Sequence, residues 1–356
     1  MNNNSKFAQI VTINGQPITK QYVASLDKKG REDLIEPLFQ HFRSQGWMYP
    51  DEGDSIQEEY QKLINHQPDL SSNILYNNSS LATNICKHYC HNFYLATEKN
   101  KPNMIEVFND DKSLRTLIAN RLGLDWYDPI NNPEGVTETF NISFRMMVQG
   151  MRSKRLVPSI SMFKPEIAKY MYMKYSNEGD TVFDYSCGFG GRALGAASCN
   201  RKYIGTDPWT VDELQVMVDD LKLQDIKLIK SGSENIKLDE NYIDFSFSSP
   251  PYVTDKSVIK EFYSKEETQA YAKGMDNFYN VYWKQTLDNV KYMLKPNKIF
   301  GLNLTKDCGK MIQMAVDIFG NPVEEVNLRL VRSHLNKKSK ADATKYEPIF
   351  IFENIK

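Results

Sequence analysis

The hydrophobic pattern of the chain changes character near its middle. From Thr181 onward, short apolar runs alternate with longer stretches of helical spacing. The runs end at Asp184, or cover Lys202–Thr206, Ile226–Lys230, Ile243–Ser248, Lys298–Leu304, Glu325–Val331 and Tyr346–Phe352. Between them, Val211–Lys222, Asn277–Leu294 and Lys310–Phe319 read as helices. In the second of these, Phe278, Val281, Tyr282, Leu287, Val290 and Leu294 fall on or near one stripe. Strands separated by helices predict a parallel sheet with helices on both faces. The last two runs are joined by a loop and not by a helix, so they are expected to pair antiparallel.

The first half reads as mainly helical. Phe7–Thr19 predicts a small hairpin, because Ile10-Val-Thr-Ile13 is β-branched and Asn14-Gly15 is the preferred two-residue turn. Helices are expected over Asp33–Gln45 (Leu34, Leu38, Phe39, Phe42), Ser55–Asn65, Ser80–Ala96 (Leu81, Ile85, Tyr89, Phe93) and Lys112–Leu122. Gly123 is placed to end the last of them. Asp128–Pro133 is a loop and a candidate boundary. The expected division is a mainly helical region over 1–150 and an α/β domain over 151–356.

Composition adds limits. Among 356 residues, 41% are apolar and 25% charged, as in an ordinary globular protein. No apolar run approaches the roughly 18 residues that span a bilayer, and the first residues lack the apolar core of a secretory signal. A cytoplasmic protein with no membrane contact is expected. Five cysteines, an odd number, argue against a disulfide framework. Cys86, His88, Cys90 and His91 are zinc-type residues within one expected helix, but no second pair lies at a recognised spacing. Buried thiols are the simpler reading, and no metal site is expected. With a net charge of −1, any nucleic-acid contact must come from local basic patches. The candidates are Arg145, Arg152, Lys154 and Arg155, and the loop Arg332–Lys340 with Lys337 and Lys338. A solvated face is the alternative for both.

The candidate chemistry sits in two places. Thr181–Ala197 reads as a strand, an acidic residue, a glycine turn and a helix start, the cofactor corner of many α/β sheets. Gly188-Phe-Gly190-Gly-Arg-Ala193 fits a dinucleotide pattern, with Asp207 at the spacing of a ribose-binding acid. Ser249-Pro250-Pro251-Tyr252, directly after the apolar run Ile243–Ser248, decides against a nicotinamide enzyme, which has no use for it.

Asp184-Tyr-Ser-Cys-Gly-Phe-Gly190, then Tyr203-Ile-Gly-Thr-Asp-Pro208, then Ser249-Pro-Pro-Tyr252, resembles the S-adenosylmethionine-dependent amino-methyltransferases of DNA. The resemblance spans roughly Val157–Lys356. It implies a Rossmann-like sheet of seven strands with the last reversed. It also implies S-adenosylmethionine as cofactor, held by Ser186, Cys187, Gly188 and Gly190 at the turn and by Asp207 and Pro208 at the ribose. Asp184 would hold the methionine amino group directly or through water. Phe163-Lys164-Pro165 would lie over the methionine end. The family often has an Asp that reads the adenine, where this chain has Ser233-Glu234.

On the same resemblance, the Ser249 side chain and the Pro250 carbonyl accept hydrogen bonds from an exocyclic base amine. Pro250 and Pro251 stiffen the loop, and Tyr252 stacks on a base flipped from the helix. No Pro-Cys motif for carbon-5 chemistry is present. Serine in first position favours N4-cytosine over N6-adenine. The gap between the motifs is too short for a separate recognition domain, so the N-terminal region or Thr254–Asp276 is expected to read the target. An RNA amino-methyltransferase and a non-catalytic cofactor-binding subunit are the alternatives. A cognate restriction endonuclease is a possible partner, and the oligomeric state is not readable.

Overall fold

The computed structural model describes residues 6–51, 55–77, 79–97, 101–124, 139–158, 160–254, 274–330 and 345–356. The chain forms two compact units, Met1–Gly53 with Phe93–Ile160, and Asp54–Asn92 with Ser161–Lys356. This differs from the expected division at residue 150. The segment 54–92 goes with the α/β half because its backbone is bound there. Lys169 Nζ donates to the carbonyls of Leu63 and Ile64, both at 2.8 Å, and Tyr170 Oη donates to that of Ser72 at 2.6 Å.

In the first unit, the hairpin pairs β1 (Thr12–Ile13) with β2 (Gln16–Pro17). Asn14 and Gly15 take φ of 50° and 79°, as the two-residue turn requires. The unit also holds the helix Ile35–Gln45, and the helices Met104–Asn109, Asp111–Arg121 and Phe144–Ser153 start where side chains cap them. Asn103 and Glu106 form a reciprocal capping box, while Asp110 and Ser143 each accept from the backbone N–H three positions on. Trp47 sits at the centre of an aromatic cluster, edge-on to Tyr94, Phe108 and Phe144 at 5.9, 5.6 and 5.3 Å.

The second unit is built on an eight-stranded sheet. Its strands are β3 (Ile74–Tyr76), β4 (Thr181–Asp184), β5 (Lys202–Thr206), β6 (Ile226–Ile229), β7 (Ile243–Ser248), β8 (Leu294–Asn303), β9 (Glu324–Leu330) and β10 (Lys345–Glu353). Their order is β3-β9-β10-β8-β7-β4-β5-β6. The core β8-β7-β4-β5-β6 is parallel, and β10 enters antiparallel between β8 and β9. The expected α/β class, the seven strands and the reversed last strand are all present. β3 is an eighth, parallel to β9 at the edge. It is short and half-exposed, and so carries no alternating signal.

Two expected helices differ. That over Ser80–Ala96 is split into Thr83–Tyr89 and Asn92–Leu95. Cys90 turns to ψ 84°, and the Asn92 N–H goes to the Glu213 carboxylate at 3.0 Å instead of continuing the ladder. Cys86 and Cys90 are buried, and burial pushes the Cys86 thiol up to about 12. No cluster of metal-ligating side chains occurs among the described residues. The helix after residue 274 starts with Met275–Asn277 and passes through a π-helical turn, Phe278–Trp283, before Lys284–Met293. Among the described residues, no helix is long and apolar enough to cross a membrane.

The helix Pro165–Tyr175 packs on the helix Gly191–Ala197 through glycine. A Cβ at Gly191 would fall 1.8 Å from the Phe163 carbonyl oxygen, and one at Gly195 would fall 2.6 Å from the Ala168 Cβ. Ordinarily, alanine in place of a helical glycine stabilises by about 1 kcal/mol. At Gly195 the close approach reverses that sign. Gly195→Ala is expected to lose about 1–3 kcal/mol from overpacking, read as a lower urea midpoint at unchanged slope. A raised midpoint would refute the packing argument.

Candidate active site

A cavity of about 540 Å³ opens at the carboxyl ends of the parallel strands. This is where open α/β sheets bind ligands. Its wall takes Phe163 and Lys164, the turn Ser186–Phe189, the segment Asp207–Thr210, Gly232–Asn235, and Ser249–Tyr252. The four residues Ser249, Pro250, Pro251 and Tyr252 thus share one chamber with Ser186, Cys187, Gly188, Asp207, Pro208, Ser233 and Glu234, as the motifs implied.

The turn has its shape for physical reasons. Gly188 and Gly190 sit at φ 52° and 83°, where a side chain would be strained. A Cβ on Gly190 would also strike Leu214 Cδ2 at 2.5 Å. Gly190 and Pro165 do not line the cavity; they set the turn and start the helix behind it. The Asp207 carboxylate organises the next wall. Its Oδ1 accepts from the N–H groups of Trp209 and Thr210 at 2.9 and 3.0 Å, and its Oδ2 from Gly188 N–H at 3.2 Å. Burial pushes this carboxyl up, against the pull of those three N–H groups. Oδ2 keeps a lone pair for a further donor.

Asp184 does not face the cavity and cannot meet a ligand there directly. It is fully buried and paired with Arg192, whose Nε donates to Oδ2 at 2.8 Å. Oδ2 also accepts from Tyr203 Oη at 2.6 Å; Oδ1 accepts from Ser248 Oγ at 2.6 Å and Ser186 N–H at 3.2 Å. Burial opposes the Arg192 charge, but the Asp184 carboxylate outweighs it and holds the guanidinium above its ordinary value. Arg192 also donates to the Ser186 carbonyl and lies under the Phe163 ring at 5.1 Å. Lys164 lines the cavity, yet its ammonium is held by the carbonyls of Asn77 and Ser79.

At the other end of the chamber, Ser249 Oγ donates to Tyr252 Oη at 3.0 Å. Tyr252 Oη donates to Glu347 Oε1 at 2.8 Å and lies 3.1 Å from Asn303 Oδ1. Both partners line the cavity, and the sequence reading passed over them. A signal was there for one: Glu347 is a charge inside the otherwise apolar run Tyr346–Phe352.

The cavity also holds unspent polar capacity. Asn77 Oδ1, Tyr185 Oη and Glu234 Oε2 are buried on its wall without a hydrogen-bond partner among the described residues. Buried polar atoms are nearly always bonded, so these suit a ligand rich in donors. Glu234 folds back over Gly232, where a Cβ would fall 2.4 Å from Oε2. Burial pushes its carboxyl up.

The basic residues fare differently. Arg152 donates to the Ile160 carbonyl at 2.8 Å and stacks over Phe93 at 5.5 Å, so its guanidinium is already engaged within its unit. Lys154 and Arg155 are exposed just past the helix, Arg155 at φ 57°. Lys337, Lys338 and most of Thr254–Asp276 lie outside the described residues.

No protein-family model matches the sequence, and no curated protein matches it. Solved structures do. TrmN from Thermus thermophilus is similar at 14% identity and TM-score 0.38, over 53% of this chain and 48% of its own. TYW2 from P. horikoshii, solved in complex with MeSAdo, is similar at 12% and 0.35, over 55% and 64%. The tRNA (m1A58) methyltransferase TrmI from Aquifex aeolicus is similar at 11% and 0.39, over 63% and 80%. This chain therefore spans about half to two thirds of the length of the first two.

Removing one partner of a buried ion pair leaves an uncompensated charge. Asp184→Asn is expected to cost about 3–5 kcal/mol, measured by urea unfolding. Asp184→Leu with Arg192→Met removes both charges but leaves the Tyr203, Ser248 and Ser186 donors unmatched, so it is expected to remain less stable than the parent. A single variant as stable as the parent would show that the pair does not organise the corner.

Proposed function

We propose that this protein is an S-adenosylmethionine-dependent methyltransferase that acts on an exocyclic base amine of DNA, N4-cytosine in preference to N6-adenine. One observation carries the reading: the glycine turn, Asp207 and Ser249-Pro-Pro-Tyr252 line a single chamber at the strand ends. The unpartnered Glu234 Oε2 and Tyr185 Oη fit a cofactor with amino and hydroxyl donors.

When bound, S-adenosylmethionine supplies an electrophilic methyl group on a sulfonium. Asp207 Oδ2 accepts from a ribose hydroxyl with its remaining lone pair, and Glu234 Oε2 accepts from the adenine amine. Ser186–Gly188 brings backbone close to the methionine end, and the Phe163 ring covers it. Asp184 contributes by fixing that turn. At the far side, the Ser249 hydroxyl and the Pro250 carbonyl accept from the target amine. Those bonds draw the nitrogen toward tetrahedral geometry and free its lone pair for attack. Acceptors fixed beforehand need no reorganisation as charge develops. Tyr252 offers its ring face to the flipped base, and the bonds to its hydroxyl set the plane of that ring.

The test is transfer of labelled methyl from S-adenosylmethionine to duplex DNA, single-stranded DNA and tRNA in parallel, with the products digested and identified by mass. N4-methylcytosine in duplex DNA is expected. N6-methyladenine would reverse the argument from serine, and label confined to RNA would overturn the DNA substrate. Ser249→Ala is expected to slow transfer by about a hundredfold, on the scale of losing one preorganised hydrogen bond, with cofactor affinity by calorimetry unchanged. Full activity in that variant would remove Ser249 from the chemistry.

A further inference from the structure

The chain of hydroxyls beside Ser249 ends in a carboxylate that the motif does not include. Ser249 Oγ–H points to Tyr252 Oη, and Tyr252 Oη–H points to Glu347 Oε1. Each hydroxyl has one proton to give, so the two bonds run in one direction, away from the cavity end of Ser249. The Ser249 oxygen is left with its lone pairs. Glu347 lies on β10, the reversed strand, nearly a hundred residues beyond Tyr252 and half-buried on the cavity wall. Asn303 offers a second acceptor: its Nδ2 donates to the Pro348 carbonyl at 3.1 Å, which turns Oδ1 toward Tyr252 Oη at 3.1 Å, but Glu347 Oε1 is nearer, at 2.8 Å, and is the charge-bearing acceptor for the one phenol proton.

Building on the proposed methyl transfer, we infer that Glu347 is the proton-accepting end of a relay, Ser249–Tyr252–Glu347, that draws the surplus proton from the methylated amine. Serine alone is a weak acceptor and a poor base. Hydrogen bonds in series polarise one another, and the one to an ionised group is the strongest. The carboxylate thus raises the acceptor strength of Ser249 without placing a negative charge against the base.

The balance is simple. The amine nitrogen forms a bond to the methyl carbon, the carbon–sulfur bond breaks, and its electron pair stays on sulfur. The nitrogen then carries one positive charge and one proton too many. That proton passes to Ser249 Oγ as the Ser249 proton passes to Tyr252 Oη and the Tyr252 proton to Glu347. The hydroxyls end as they began, the amine is neutral, and Glu347 is a carboxylic acid until it releases the proton to water.

The experiment uses the full chain, duplex DNA and labelled S-adenosylmethionine under single turnover. Glu347→Gln keeps a hydrogen-bond acceptor for Tyr252 but cannot accept the proton. It is expected to slow transfer by about a hundredfold, the scale of general base catalysis. KM for DNA and the calorimetric Kd for cofactor should change less than about twofold. Tyr252→Phe keeps the ring and cuts the relay, so it should fall similarly. Added formate should restore part of the rate of Glu347→Ala and none of that of Glu347→Gln. Wild-type rates in Glu347→Gln, or losses that follow cofactor affinity and ignore formate, would overturn the relay and leave the methyltransferase reading standing. A wild-type protein that binds the cofactor yet methylates no nucleic acid would overturn that reading, and the relay with it.

Discussion

The site depends on one buried carboxylate. Asp184 ends β4, and its two oxygens bind four partners from different parts of the fold: the turn at Ser186, the helix at Arg192, β5 at Tyr203 and the end of β7 at Ser248. A buried ion pair stabilises only when its remaining lone pairs and protons are also met. Here they are, so the arrangement is stable as a set and costly to break in part. Ser248 immediately precedes Ser249-Pro-Pro-Tyr252. The turn on one side of the cavity and the Ser249–Tyr252 loop on the other therefore hang from the same carboxylate. On the proposed chemistry, a displacement between two bound groups needs both held to fractions of an ångström, and a shared anchor supplies that.

Close backbone approach extends the anchor. Gly191 and Gly195 let Pro165–Tyr175 lie against the helix that carries Arg192. That contact puts Phe163 over the guanidinium, and Lys164 beside it fastens the carbonyls of Asn77 and Ser79. Residues near 77, 163 and 192 thereby form one wall although the sequence scatters them.

Much of this was legible. The strands β5 and β7 run where their apolar patterns end, because each is buried along nearly its whole length and bounded by turns. What escaped depended on partners remote in sequence. β3 is an exposed edge with no periodicity of its own. The break at Cys90 is caused by Glu213, and nothing near Cys90 announces it. The unit boundary is discontinuous, so no composition shift marks it. Asp184 was recognisable as important, but its pairing with Arg192 was not, since an acid before a glycine turn looks the same whether it faces a ligand or an arginine. Arg192 was in plain view inside the glycine motif, but only the fold shows it pointing inward.

The fate of the positive charges explains the field in the chamber. Arg192 is neutralised by Asp184, and the Lys164 ammonium is turned to carbonyls. Asp207, Glu234 and Glu347 remain on the described wall. The cavity is therefore electronegative, and partial burial makes each carboxylate more effective than it would be in water. On the proposed chemistry, such a field favours a sulfonium over the neutral thioether it becomes. The same electrostatics that attract the cofactor weaken the hold on its product. It also explains a serine at position 249. On the proposed relay, a carboxylate there would add a fourth negative charge against the base, whereas one set back behind Tyr252 lends its basicity through two hydroxyls and keeps its charge at a distance.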